Sequence, residues 1–107
     1  MCGRQVGLLA VIALSLTTAP GGAQEIGQAS RGLALAQHLC TQCHAVQKGD
    51  KRSPNEDAPR FQVIASVPGM TAMALSAALN TSHTSMPNVM LQADERADII
   101  AYILSLK

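Results

Sequence analysis

The stretch that most constrains this chain is Cys40-Thr41-Gln42-Cys43-His44, two cysteines three apart with a histidine directly after the second. Such a run serves a disulfide, half of a zinc site, or a haem attached through both thiols. Each demands something different from the remaining residues. A redox-active pair works through a lowered thiol pKa on a mixed α/β scaffold. A structural zinc needs two further ligands at suitable spacing. A covalent haem needs an export route, a second axial ligand and an apolar pocket.

The N-terminus bears on the first need. Residues 1–23, MCGRQVGLLAVIALSLTTAPGGA, run from a basic start (Arg4) through apolar residues Val6 to Leu16 into small residues. That order is a secretory signal peptide. Its apolar run of 11 residues falls short of the ~20 that span a bilayer. Cleavage is expected after Ala23, because a cut after Ala19 would set Pro20 beside the scissile bond. The expected mature domain is 24–107, which loses Cys2 and keeps Cys40 and Cys43. Export implies an oxidising compartment, here the periplasm, where a thiol pair must be consumed in some way. Without Arg4, seven Lys/Arg face seven Asp/Glu. This neutral balance points neither to nucleic acid nor to an anionic membrane, and no stable membrane insertion is expected after cleavage.

Large side chains are scarce: one Phe, one Tyr and no Trp. A small domain so equipped needs a staple or a prosthetic group to complete its core. Three segments read as helices. The first spans about Gly27 to Thr41, with Ser30 a candidate cap for a start near Arg31. The second spans Met70–Asn80, with Ala72, Leu75 and Leu79 along one side. The third spans Ala93–Lys107, with acidic residues in its first turn, Lys107 at its end, and an apolar stripe of Ile99, Ile103 and Leu106 widened by Ile100. Between the first two, residues 48–61 carry many charges and two prolines and read as a solvated surface loop. The other loop carries His83, Met86 and Pro87. No stretch alternates at period two, so the fold class is all-α.

An all-α chain offers no scaffold for a redox-active disulfide. Zinc is disfavoured because His38 lies within a turn of Cys40, at the wrong spacing. Haem uses every residue of the motif. The thiols of Cys40 and Cys43 add to the two vinyl groups, and His44 becomes the proximal iron ligand. The cofactor is therefore read as one covalently attached haem c with its iron. For the sixth position the methionines are Met70, Met73, Met86 and Met90. Met70 and Met73 open a helix and read as core filler. Met86 precedes Pro87, whose fixed φ stiffens the chain where a ligand must be aimed. Met86 is thus the expected ligand, with His83 and Met90 as competitors. Otherwise His83 and His38 read as surface residues, and Met90 as packing against the ring or the helices.

With these residues in place the chain resembles class I cytochromes c of the small bacterial kind, over essentially all of residues 24–107. The resemblance implies the cytochrome c fold, three main helices packed around one covalently bound haem. It implies that Gly32 marks where the N-terminal helix crosses the C-terminal one, and that Tyr102 is the latter helix's usual aromatic. It also implies haem-pocket support from Ala58-Pro59-Arg60-Phe61. There the Pro59 carbonyl would accept a hydrogen bond from His44, with Phe61 meeting the haem, and Pro54 is the rival for that carbonyl. Only 41 residues separate His44 from Met86, fewer than in the mitochondrial type, so a short loop beneath the haem is expected. The lysine ring of the mitochondrial protein is missing, and electrostatic steering to an acidic partner is not expected.

The expected function is a periplasmic one-electron carrier with His/Met ligation. It would act as a soluble shuttle or as a small haem subunit of an electron-transfer complex, and not as an enzyme on its own. Its partners would be redox proteins docking near Thr41, Gln42, Ala45 and the Met86-Pro87 loop. The alternative is a haem-based gas or redox sensor whose sixth ligand is displaceable. A third arrangement is a haem-free helical domain with a Cys40–Cys43 disulfide.

Overall fold

The computed structural model describes residues 26–81, 83 and 85–107, together with Gly3. The expected signal peptide and its cleavage point lie outside the described residues. Four helices follow in chain order: α1 (Ala29–Leu39), α2 (Phe61–Ala65), α3 (Ala72–Asn80) and α4 (Ala93–Leu104). Among the described residues there is no strand. The all-α expectation therefore holds, and no helix among these residues is long and apolar enough to cross a membrane.

The fold is organised by the crossing of α1 and α4. Gly32 lies in α1, and a Cβ there would overlap the Asp98 backbone and press on Tyr102. With no side chain at Gly32, and Ala36 fully buried one turn on, the two helix backbones approach closely. Asp98 locks the crossing. Its carboxylate accepts from the Gln28 backbone N–H (2.6 Å) and from Arg31 Nε (2.7 Å). Arg31 and that N–H hold the Asp98 carboxyl below the ordinary carboxylate range. Behind this crossing Ile99, Ile100, Ile103 and Leu106 bury the expected stripe against Val46, Phe61, Ala65 and Leu75.

Several local expectations need correction. α1 starts at Ala29, Gln28 occupies the cap position, and Ser30 lies inside the helix. The second expected helix starts two residues late, because the Thr71 hydroxyl accepts from the Ala74 N–H at 3.1 Å and caps it there. α4 stops at Leu104, so Lys107 complements no helix end and instead donates from Nζ to the Met70 carbonyl. The short α2 was not visible as a periodic pattern, since five residues hold little more than one turn. Met73 is 82% and Met90 85% exposed. Neither fills the core, while Met70 packs against its edge.

Candidate functional site

The segment leaving α1 carries the motif. Cys40 takes the C-cap position, and its carbonyl accepts from the N–H groups of Cys43 and His44 at 3.2 and 2.9 Å. This tight turn presents Cys40, Cys43 and His44 together on the wall of one cavity. No disulfide joins Cys40 to Cys43. Burial pushes the Cys40 thiol above its ordinary range, so it stays protonated against the apolar wall.

His44 is held from two sides. Its Nδ1 donates to the Pro59 carbonyl at 2.7 Å. A carbonyl can only accept, so the proton sits on Nδ1 and the lone pair on Nε2 is left to bind a metal. Phe61 packs against the ring, with centroids 5.4 Å apart and planes tilted by 53°. The chain between the motif and Pro59 is tied back on itself. Ala45 N–H donates to the buried Ser53 hydroxyl at 3.0 Å, and Asn55 N–H to the Cys43 carbonyl at 3.1 Å. Phe61 N–H donates to the Ala45 carbonyl at 2.9 Å, and Arg60 Nη1 to the Asp50 carbonyl at 2.8 Å. The residues read as a solvated loop thus form a brace behind His44, and it is Pro59, not Pro54, whose carbonyl meets the ring.

The rest of the wall is mostly apolar. Ile64 follows Phe61 in α2, Leu75, Ala78 and Leu79 come from α3, and Ile103 from α4. Opposite the motif in sequence, the 81–92 loop contributes His83, Ser85, Met86, Pro87 and Val89. The expected sixth ligand and its competitor His83 therefore reach the same cavity. Met90 does not line it. Tyr102 also stands off the wall, and its support is one step removed. Its hydroxyl donates to the Val46 carbonyl at 2.6 Å, fixing the chain two residues past His44. Burial, then the nearby Asp50 charge, raises its phenol above the ordinary range.

Sequence reasoning missed Ser53 and Asp98. A lone serine in a charged loop gives no signal of burial. Asp98 lies past the acidic first turn of α4 and gave no signal that its carboxylate meets α1.

The residues fit a covalent haem. Two thiols three apart and an imidazole with fixed tautomer stand on one wall, around an apolar space that side chains leave unfilled. Among the described residues no group of three or more His, Cys, Asp or Glu side chains could hold a metal ion by themselves, which leaves the zinc arrangement without ligands. A family model described as Cytochrome c matches residues 29–107. No curated protein and no solved structure matches the chain.

Proposed function

The chain belongs to the cytochrome c family, which carries electrons on covalently attached haem c, and from that premise we propose a periplasmic one-electron carrier with His44 and Met86 as axial ligands. The observation that carries this reading is the His44 ring held at Pro59 while Met86 stands on the wall of the same cavity. The haem, when bound, supplies an iron that gains and loses one electron. Cys40 and Cys43 would hold the haem at one ring edge through thioether bonds. Pro59 and Phe61 keep His44 in one orientation, which limits rearrangement between oxidation states and raises the basicity of the imidazole. Ile64, Leu75, Leu79 and Ile103 exclude water and favour the less charged ferrous form. Met86, a weak soft donor, favours that form as well. The sequence of residues 1–23 supports export, and docking is assigned to the rim around Thr41, Gln42 and Pro87.

Absorption spectra of the exported protein, oxidised and reduced, test this reading. Sharp reduced haem bands with a weak far-red methionine-to-iron band in the oxidised form are expected. Haem bands without the far-red feature, with fast stoichiometric carbon monoxide binding to the reduced protein, would replace the carrier with a sensor.

A further inference from the structure

The nitrogen and sulfur donors on the cavity wall are Cys40, Cys43, His44, His83 and Met86. The first three belong to haem attachment and the proximal side, which leaves two for the sixth position. These two are linked through the backbone. Met86 N–H donates to the His83 carbonyl at 3.1 Å, closing a turn over residues 83–86. Within it Ser85 holds φ at 69°, a left-handed conformation that a residue with a Cβ seldom adopts. The turn thus brings a thioether and an imidazole to one opening. The remaining histidine and methionines among the described residues do not line this wall: His38, Met73 and Met90 are exposed, and Met70 packs against the core edge.

We propose that His83 is a reserve axial ligand, which takes the iron when the Met86 sulfur lets go. The inference rests on Met86 being the resting ligand. The exchange would break one iron–sulfur bond and form one iron–nitrogen bond through an unprotonated ring nitrogen, with no electron gained or lost. It is favoured in the oxidised protein, because imidazole is the harder and stronger donor and thioether suits ferrous iron. The turn at Ser85 is the moving part, since relaxing its left-handed residue re-aims the two side chains it connects. His83 would keep the iron six-coordinate and closed to small ligands while shifting the potential downward.

The test uses haem-loaded protein carrying Met86→Leu, with and without His83→Ala. Leucine keeps the apolar volume and removes the sulfur. Oxidised Met86→Leu is expected to stay low-spin, and the double variant to become high-spin. Carbon monoxide should bind the reduced double variant about tenfold faster or more than the single one, because an internal ligand at millimolar effective concentration must leave first. A high-spin Met86→Leu protein, or a low-spin double variant, overturns the proposal. If Met86→Leu fails to fold, warming the unaltered oxidised protein below its unfolding transition gives the same decision. The far-red band should fade with low spin retained, and His83→Ala should turn that state high-spin. Fading to high spin in both proteins overturns the reserve role. An unaltered protein that lacks the far-red band from the start fails on the Met86 reading itself. In that event His83→Ala changing the resting spectrum would make His83 the resting ligand and end the reserve role.

Discussion

The two flanks of the cavity are built differently. On the His44 side, backbone and side chains are cross-tied from several elements. Asp98 clasps α1 to α4, Tyr102 holds Val46, Ser53 holds Ala45, and Pro59 holds His44 itself. On the Met86 side the ties within the loop are local, and its ends are joined where Arg96 Nη1 donates to Asn80 Oδ1 at 2.9 Å. Met86 bonds to His83 three residues back, and Gln92 N–H bonds to Glu95 at the start of α4. Ser85, Pro87, Asn88 and Met90 are exposed. One flank is positioned by the protein, whereas under the proposed ligation the other would take much of its order from its bond to the iron. A carrier needs a fixed ring orientation on at least one side, and a thioether, being a weak donor, is the ligand the protein can leave less constrained.

The largest effect should come from the helix crossing. Gly32→Val places a Cβ, with two methyl groups beyond it, where the Asp98 backbone already sits. Backbone cannot step aside as a flexible side chain can, so the cost is about 3 kcal/mol or more. The expected result is no cooperative thermal transition and little haem-loaded protein from export. A Gly32→Val protein melting within a few degrees of the parent would mean that the crossing is not what positions the motif.

Next in size is Asp98→Asn, which removes the charge that receives Gln28 N–H and Arg31. The folded carboxyl titrates below its ordinary value of 3.8. Its contribution is therefore complete above that value and is lost as pH falls from there through the depressed folded value. The parent should lose thermal stability on acidification through this window. Asp98→Asn should be less stable than the parent at pH 7 and should show a shallower acid loss. Equal acid slopes in the two proteins would place the acid sensitivity elsewhere.

Much of this contrast could be read from the chain, but unevenly. The haem motif and the α4 stripe each leave a pattern, either a fixed spacing or a repeat of three to four residues, and the helix crossing at Gly32 was an implication of the family resemblance. The brace behind His44 leaves none, since it rests on single groups such as Ser53 and the Pro59 carbonyl whose partners are remote or backbone. Met73 and Met90 misled for the converse reason: hydrophobic type indicates burial only statistically, and a loop or an edge helix can leave a methionine in water. Asp98 was hidden because its partners, the Gln28 N–H and Arg31, lie at the N-cap and in the first turn of another helix far away in sequence.

A smaller change sharpens the rigid flank. Tyr102→Phe keeps the Cβ beside Gly32 and the buried ring, and removes only the hydroxyl that meets the Val46 carbonyl at 2.6 Å. A hydrogen bond of this kind contributes about 1 kcal/mol, which in a domain this small lowers the melting temperature by roughly 4–8 °C. The far-red band and the reduced spectrum should be unchanged, because Tyr102 stands off the cavity wall. A spectral change would show that Val46 transmits its position to His44.

The smallest effect belongs to the other flank. Met90 is 85% exposed, so Met90→Ala removes almost no buried area and should shift stability by no more than about 0.5 kcal/mol. It is the useful companion to the Met86 substitutions because it lies in the same loop and has the same chemistry. If attachment to the iron is what orders this flank, hydrogen exchange at the amides of residues 85–91 should accelerate in Met86→Leu joined with His83→Ala and stay at parental rates in Met90→Ala. Exchange in α1 and α4 should change little in either. Slow exchange across the loop in the ligand-free double variant would show that the polypeptide holds both flanks equally, and the asymmetry would then lie in the count of hydrogen bonds and not in the mechanics.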